Sequence, residues 1–66
     1  MEIIVNGNLK SIEDSSTVSN LLSNYNLNEK HVIVQINEIV IPLEKYNSHI
    51  IKHMDKLEIL SLVGGG

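Results

Sequence analysis

The chain has 66 residues, of which 42% are hydrophobic and 20% charged, and its formal net charge at pH 7 is −3. A chain of this length forms one domain and buries only roughly 60% of its unfolded surface, which is too little for a core together with a deep active site. It contains no cysteine, and this excludes disulfides, zinc–thiolate sites and thiol nucleophiles. The negative charge and the presence of only two aromatic residues argue against a nucleic-acid-binding face.

The first ten residues, MEIIVNGNLK, contain no basic segment followed by a long apolar run. We therefore predict that the chain carries no signal peptide. No apolar run approaches the roughly 20 residues of a membrane span. These features predict a cytoplasmic protein with no membrane partner, and its mild acidity favours docking on a basic protein surface.

The N-terminal segment predicts a β-hairpin. Asn6-Gly7 separates two strand-like runs, and this dipeptide is typical of a type I′ turn because both central positions of that turn have positive φ. We predict strands at about residues 2–6 and 8–13.

The next segment changes from the strand period to the helix period. Apolar residues recur at the spacing of one helix face: Val18, Leu21, Leu22 and Tyr25. Ser16 or Thr17 can cap the helix by accepting backbone hydrogen bonds, and the asparagine-rich residues 24–28 suit its end. The pattern predicts a helix over residues 17–25 whose apolar face lies in the core.

The second half of the chain returns to strand chemistry. Residues 32–36 are mostly β-branched, and the following run, 38–41, should end at Pro42 because proline cannot donate to a ladder. Residues 43–55 predict an irregular connection or a short helical turn. The alternation in KLEILSLV predicts a last strand, with Leu57, Ile59 and Ser61 on one face and Glu58, Leu60 and Leu62 on the other.

This order of elements predicts an α+β fold of the ubiquitin-like β-grasp type. We expect a mixed sheet with one main helix packed on one face. Residues 1–63 would form the single domain, and residues 64–66 a flexible tail of glycines.

The domain was searched by residue type for a metal site and for a catalytic pair, and the histidines give the first candidate. His49 and His53 are four residues apart and Asp55 follows them, which on a helix could bind a metal. Because this stretch has no clear apolar helix face and no helix cap, we favour solvated loop histidines and predict no metal site. No pair of a nucleophile and a base stands out among the serines and acids, so we predict that the chain is not an enzyme and binds no cofactor.

The three C-terminal glycines are the most informative stretch. Composition alone allows an artefact or an inert disordered end. However, three extended residues reach on the order of 10 Å beyond a domain, and without Cβ atoms they can thread a narrow channel. A carboxylate on such an arm suits chemistry that is performed on it by another protein.

Four stretches give the chain a resemblance to the ThiS family of sulfur carriers in thiamin thiazole biosynthesis. They are IIVNGN, TVSNLL, VIVQINEIVIP and DKLEILSLVGGG, and together they cover essentially the whole chain. The last is the most specific, because a hydrophobic strand followed directly by terminal glycines is typical of ThiS.

The resemblance implies a mechanism and partners. A ThiF-type adenylyltransferase would use ATP and Mg²⁺ to adenylate the carboxylate of Gly66, and a cysteine-derived sulfur donor system would convert it to a thiocarboxylate. Thiazole synthase (ThiG) would then accept the sulfur. Gly65 and Gly64 would thread the partners' sites. The surface near the tail, including Leu60, Leu62 and Val63, would dock on the partners, although Leu60 and Leu62 could equally be core residues.

Other readings stay open from the sequence alone. They are a β-grasp sulfur carrier of another pathway, such as molybdopterin synthesis, a ubiquitin-like modifier of lysines, and a plain interaction module. The chain also departs from the family pattern at Asn37-Glu38, at Leu43 and at Met54-Asp55, where family members often have Asn-Gly, Arg and Gly-Asp. These departures bear on turn geometry and on the surface that partners recognise.

Overall fold

The computed structural model describes residues 1–62. In chain order the elements are β1 (Glu2–Val5), β2 (Asn8–Ser11), α1 (Val18–Asn24), β3 (Val32–Ile36), β4 (Ile39–Ile41) and β5 (Lys56–Ser61), with 3₁₀ turns at Glu29–His31 and Leu43–Lys45. The sheet order is β2-β1-β5-β3-β4. The β1–β5 pair is parallel and the other pairs are antiparallel, so the predicted mixed sheet with one main helix is confirmed. The division at residue 63 stays a prediction.

The N-terminal hairpin turns at the predicted dipeptide. Asn6 has a φ of 49° and Gly7 a φ of 84°, as a type I′ turn requires, so β1 ends one residue earlier than predicted. Strand β2 ends at Ser11 rather than residue 13, because the chain turns at Asp14-Ser15. Ser15 has a φ of 64°, and Ser16 Oγ donates to the carbonyl of Glu13 at 2.7 Å.

Helix α1 lies within its predicted range and begins with a capping box. Thr17 Oγ1 accepts from the N–H of Asn20 at 3.1 Å, and Asn20 Oδ1 accepts from the N–H of Thr17 at 2.9 Å. The N–H groups of Val18 and Ser19 donate to carbonyls of the segment that follows the second 3₁₀ turn, at His49 and Tyr46. The start of the helix is therefore anchored to a distant part of the chain.

The segment between β4 and β5 packs over the start of the helix. The prediction of an irregular connection or a short helical turn is confirmed, since the segment contains the 3₁₀ turn Leu43–Lys45 and no other helix or strand. Tyr46 and Ile51 of this segment are buried. The hydroxyl of Tyr46 donates to the carbonyl of Val32 at 3.3 Å, and the N–H of Ile51 donates to the carbonyl of Ser16 at 2.8 Å.

The core lies between α1 and one face of the sheet. The residues predicted for the apolar helix face pack there, with Val18, Leu21 and Leu22 buried and Tyr25 half-buried. Cross-strand partners share a face, so the pairs Ile36–Leu57 and Val5–Leu57 bring the strands' buried side chains together. The opposite face of the sheet, termed here the outer face, carries no helix in residues 1–62.

The turn between β3 and β4 has the same left-handed geometry as the first hairpin. Asn37 has a φ of 52° and Glu38 a φ of 72°. Strand β4 therefore begins at Ile39, and the predicted start at residue 38 was one residue early. Met54, before β5, also has a positive φ, of 67°. Two of the departures from the family pattern thus place a side chain where glycine fits best.

Candidate functional site

The end of β5 is the part of the described structure that leads to the glycine tail. Strand β5 runs antiparallel to β3, with Ser61 opposite Val32, and the N–H of Leu62 donates to the carbonyl of His31 at 2.8 Å. The chain therefore leaves the sheet beside the start of β3. Val63 and the glycines 64–66 lie outside the described residues, so their roles stay predictions.

Two of the predicted docking residues are exposed next to this end. Leu60 is 54% exposed and Leu62 is 58% exposed, which decides between surface and core for both. Leu60 lies opposite Ile33 of β3 on the outer face. Sequence periodicity had placed Leu60 and Leu62 on one face, but could not decide whether a helix covers that face.

A shallow groove extends this apolar surface from β5 across β3 to β4. It has a volume of about 430 Å³, and its exposed apolar lining residues include Val40, Leu43, Leu60 and Leu62. Lys30 and Glu29 provide its charged lining. Val40 was not predicted to lie on this surface, and Leu43 was connected with partner recognition only as a departure from the family pattern. The alternation in β4 was the available signal for Val40, since its neighbours Ile39 and Ile41 belong to the other face.

Strand β5 is also held from the side of β1, by a side chain. Asn6 Oδ1 accepts from the N–H of Ile59 at 2.9 Å, and Asn6 Nδ2 donates to the carbonyl of Ile59 at 3.3 Å. The sequence predicted only a turn at Asn6, and nothing local to that residue indicates a contact 53 positions away.

The histidines do not form a metal site in the described part of the chain. Nowhere in residues 1–62 do three or more His, Asp or Glu side chains come close enough together to hold a metal ion. His53 Nδ1 instead accepts a hydrogen bond from the N–H of Glu2 at 3.1 Å. No helix within residues 1–62 has the length and apolar character needed to cross a membrane.

A second groove, on the helix side, has a volume of about 530 Å³ and is lined by Ser19, Ser23, Leu27, Asn28, Glu29, Lys30 and Leu43. Ser19 is 9% exposed, and its buried Oγ has no hydrogen-bond partner. Neither of the charged lining residues, Glu29 and Lys30, hydrogen-bonds this hydroxyl.

Comparison with known proteins agrees with this architecture. The model of the ThiS family matches residues 3–66. The sulfur carrier protein ThiS of Bacillus subtilis is 39% identical over 54 residues, which are 82% of this chain and 82% of that protein. A thiazole synthase of Paramagnetospirillum magneticum is 32% identical over all 66 residues. The chain spans only 20% of the length of that synthase.

A solved structure confirms the fold. The crystal structure of the thiamine biosynthesis protein ThiS from Geobacter metallireducens superposes with a TM-score of 0.84 at 30% identity, and all of both chains is covered. The β-grasp arrangement predicted from the order of elements is therefore that of a known ThiS protein. The family match and the identity to the Bacillus protein lead to one conclusion: the chain belongs to the ThiS family.

Proposed function

We propose that this chain is a sulfur carrier protein of thiamine biosynthesis and that the carboxyl group of Gly66 is the carrying group. In this role the chain is a substrate of other enzymes and not itself a catalyst. The observation that carries the proposal is the family match, which runs through residues 64–66 and so includes the glycines. The likeness to the ThiS proteins of Bacillus and Geobacter supports it.

The chemistry at Gly66 takes two steps. A ThiF-type adenylyltransferase binds ATP and Mg²⁺, and a carboxylate oxygen of Gly66 attacks the α-phosphorus, which forms the acyl-adenylate and releases pyrophosphate. Sulfur at the oxidation level of sulfide, supplied from cysteine by a donor system, then attacks the acyl carbon and displaces AMP. The product is a thiocarboxylate. Because the chain has no cysteine, this sulfur does not compete with a thiol of the carrier itself.

Thiazole synthase, ThiG, is the proposed acceptor of the sulfur. The support is the thiazole synthase of Paramagnetospirillum magneticum, in which a segment like this chain makes up a fifth of one polypeptide. Linking two proteins in one chain raises their effective concentration toward each other, which suits a carrier and its acceptor. Because the first step consumes ATP, we propose the cytoplasm as the compartment.

The exposed leucines at the end of β5 are the proposed docking surface. A partner that reaches the carboxyl group of Gly66 must approach the surface from which the tail departs. Leu60 and Leu62 lie there and are more than half exposed. Exposed apolar side chains beside a reactive segment are typical of a protein interface. Gly64 and Gly65 would occupy the partner's channel, and Val63 would lie at its entrance.

The experiment that tests the proposal is the intact mass of the chain after incubation with ATP, Mg²⁺, a ThiF-type enzyme and a sulfur source. We expect a gain equal to one exchange of oxygen for sulfur, and no gain in a variant that lacks Gly66. An unchanged mass beside an active control carrier would overturn the proposal. Isopeptide adducts on lysines of other proteins would instead indicate a ubiquitin-like modifier. Transfer of sulfur to a molybdopterin precursor, and not to thiazole, would indicate another pathway.

A further inference from the structure

The side chain of Asn6 continues the β1–β5 ladder beyond the point where β1 ends. The N–H of Ile4 donates to the carbonyl of Asp55 at 2.9 Å, and the N–H of Asn6 donates to the carbonyl of Leu57 at 2.9 Å. These bonds reach every second residue, Asp55 just before β5 and then Leu57, so the next residue in the series is Ile59. Its N–H and its carbonyl are both bonded to the carboxamide of Asn6.

This contact is one that the backbone cannot make. The chain reverses direction at Gly7, so no residue of β1 lies opposite Ile59. A carboxamide has one acceptor and two donors, as a strand residue offers one N–H and one carbonyl. The side chain of Asn6 therefore takes the place of the missing strand residue. It extends the hydrogen bonding between the first hairpin and β5 from Leu57 to Ile59.

The contact lies on the strand that leads to the tail. On its other side, β5 is paired with β3 as far as Ser61, and Leu62 bonds to His31. At Ile59, three residues before the last described residue, Asn6 holds β5 from the opposite side. A strand that is held on both edges has less freedom to twist or shift than one held on a single edge.

We infer that Asn6 is a positioning residue for the modification of Gly66, and this inference rests on the proposed function. The carboxamide fixes the direction in which β5 delivers the tail to the adenylating enzyme. Asn6 is not among the residues that line the groove with Leu60 and Leu62. Loss of the Asn6 carboxamide should therefore change where the Gly66 carboxylate lies in the complex with the adenylating enzyme, and should not weaken the binding of the two proteins.

A matched pair of variants tests this role. Asn6→Gly removes the carboxamide and keeps the turn, because glycine adopts the φ of 49° without strain. Asn37→Gly is the control. Asn37 has the same position in a turn of the same type, with a φ of 52°, and its carboxamide also makes two bonds, to Asp55 and to the N–H of Lys56. That contact holds β5 at its beginning, far from the tail.

The first measurement is amide hydrogen exchange. In Asn6→Gly, we expect the Ile59 amide to exchange about tenfold faster than in the wild-type chain, relative to the change in global stability. In Asn37→Gly, the Lys56 amide should respond and the Ile59 amide should not. An Ile59 amide that exchanges equally slowly in Asn6→Gly would overturn the inference, because the carboxamide would then not hold the strand.

The second measurement is the steady-state rate of adenylation of the full chain by a ThiF-type enzyme. For Asn6→Gly, we expect kcat to fall about fivefold while KM stays within about twofold of wild type, because misplacement of a reacting group slows the chemical step. Asn37→Gly should keep both parameters near wild type. Equal kcat values for the two variants would overturn the positioning role and leave the proposed function standing. A wild-type chain that is not adenylated would overturn the proposed function, and the positioning role with it.

Discussion

Asn37 and Asp55 are joined by a hydrogen bond of 3.0 Å from Asn37 Nδ2 to Asp55 Oδ1. Asn37 Oδ1 also accepts from the N–H of Lys56 at 3.1 Å, and Asp55 Oδ2 accepts from the N–H of Lys52 at 2.8 Å. These contacts tie the turn between β3 and β4 to the start of β5. Hydrogen bonds to residues outside the turn therefore fix its geometry. They hold Glu38 at a φ of 72°, although glycine would suit that position better.

Glu38→Gly should stabilise the chain. A side chain in the left-handed region costs roughly 1–2 kcal/mol, and part of this gain is offset by the greater freedom of glycine in the unfolded chain. We expect the free energy of unfolding to rise by about 0.5–1 kcal/mol. Urea denaturation of the variant and the wild-type chain measures this increase, and the m-value should be the same for both.

Gly7→Ala is the opposite control. A Cβ at Gly7 would meet no atom within 4 Å, but the φ of 84° makes any side chain there costly through the backbone alone. We expect a loss of about 1 kcal/mol. If Glu38→Gly gave no increase while Gly7→Ala gave the loss, the left-handed geometry of Glu38 in solution would be contradicted.

Ser19→Ala should leave stability unchanged or raise it by up to about 1 kcal/mol. The buried hydroxyl of Ser19 has no hydrogen-bond partner, so alanine removes an unsatisfied group and favours the helix. Ser16→Ala is the matched control, because Ser16 is equally buried but its Oγ donates to the carbonyl of Glu13. That substitution should cost about 1 kcal/mol. Thermal unfolding of both variants distinguishes them, and equal losses would contradict the prediction.

Leu60→Ala and Leu62→Ala should lower the efficiency of Gly66 adenylation and leave the stability of the chain almost unchanged. Both side chains are exposed, so each substitution should change the free energy of unfolding by less than about 0.5 kcal/mol. The efficiency of Gly66 adenylation, kcat/KM, should fall about tenfold through a higher KM, as expected when a docking contact is lost.

The control for these two variants is Leu9→Ala. Leu9 is 58% exposed, as Leu62 is, but it lies on the edge strand β2, which β1 separates from β5. Its loss should leave kcat/KM near the wild-type value. An equal decrease in all three variants would mean that the docking surface is not concentrated at the end of β5.

Tyr46→Phe should destabilise the chain by about 1 kcal/mol. The hydroxyl of Tyr46 is buried and donates to the carbonyl of Val32, and phenylalanine would leave that carbonyl without this donor. Tyr25→Phe, at the half-buried end of the helix, should cost less. Chemical denaturation of both variants provides the test, and a larger loss for Tyr25→Phe would contradict it.

Turn dipeptides and the spacing of apolar residues predicted those elements whose geometry depends on neighbouring residues in the sequence. The Asn6-Gly7 turn, the helix face built on Leu21 and Leu22, and the alternation of the last strand all lie where they were expected. The segment 43–55 was only loosely predicted, because its order comes from distant partners such as the carbonyl of Val32. The positive φ of Glu38 is not indicated by glutamate itself, which disfavours that geometry; the only signal was the glycine that family members often have at this position.

The sequence predicted which residues of β5 belong to the candidate site, but not whether their side chains are exposed. Strand alternation placed Leu60 and Leu62 on the same face, whereas only the position of α1 on the other side of the sheet shows that this face is open. Val40 and Leu43 joined the surface through the fold, since they come from a different strand and a turn. The bond between Asn6 and Ile59 depends on a parallel pairing that joins the two ends of the chain.

The central position of β5 has a consequence for how the protein is made. Strand β5 lies between β1 and β3, yet among the strands of residues 1–62 it is the last to be synthesised. Until then, the earlier hairpin and the β3–β4 pair have no strand to connect them, and Leu57, which is fully buried, is missing from the core. The domain can therefore complete its fold only after Lys56–Ser61 has been synthesised. A chain that stopped before this segment would lack the central strand, and we expect that it would remain unfolded and be degraded.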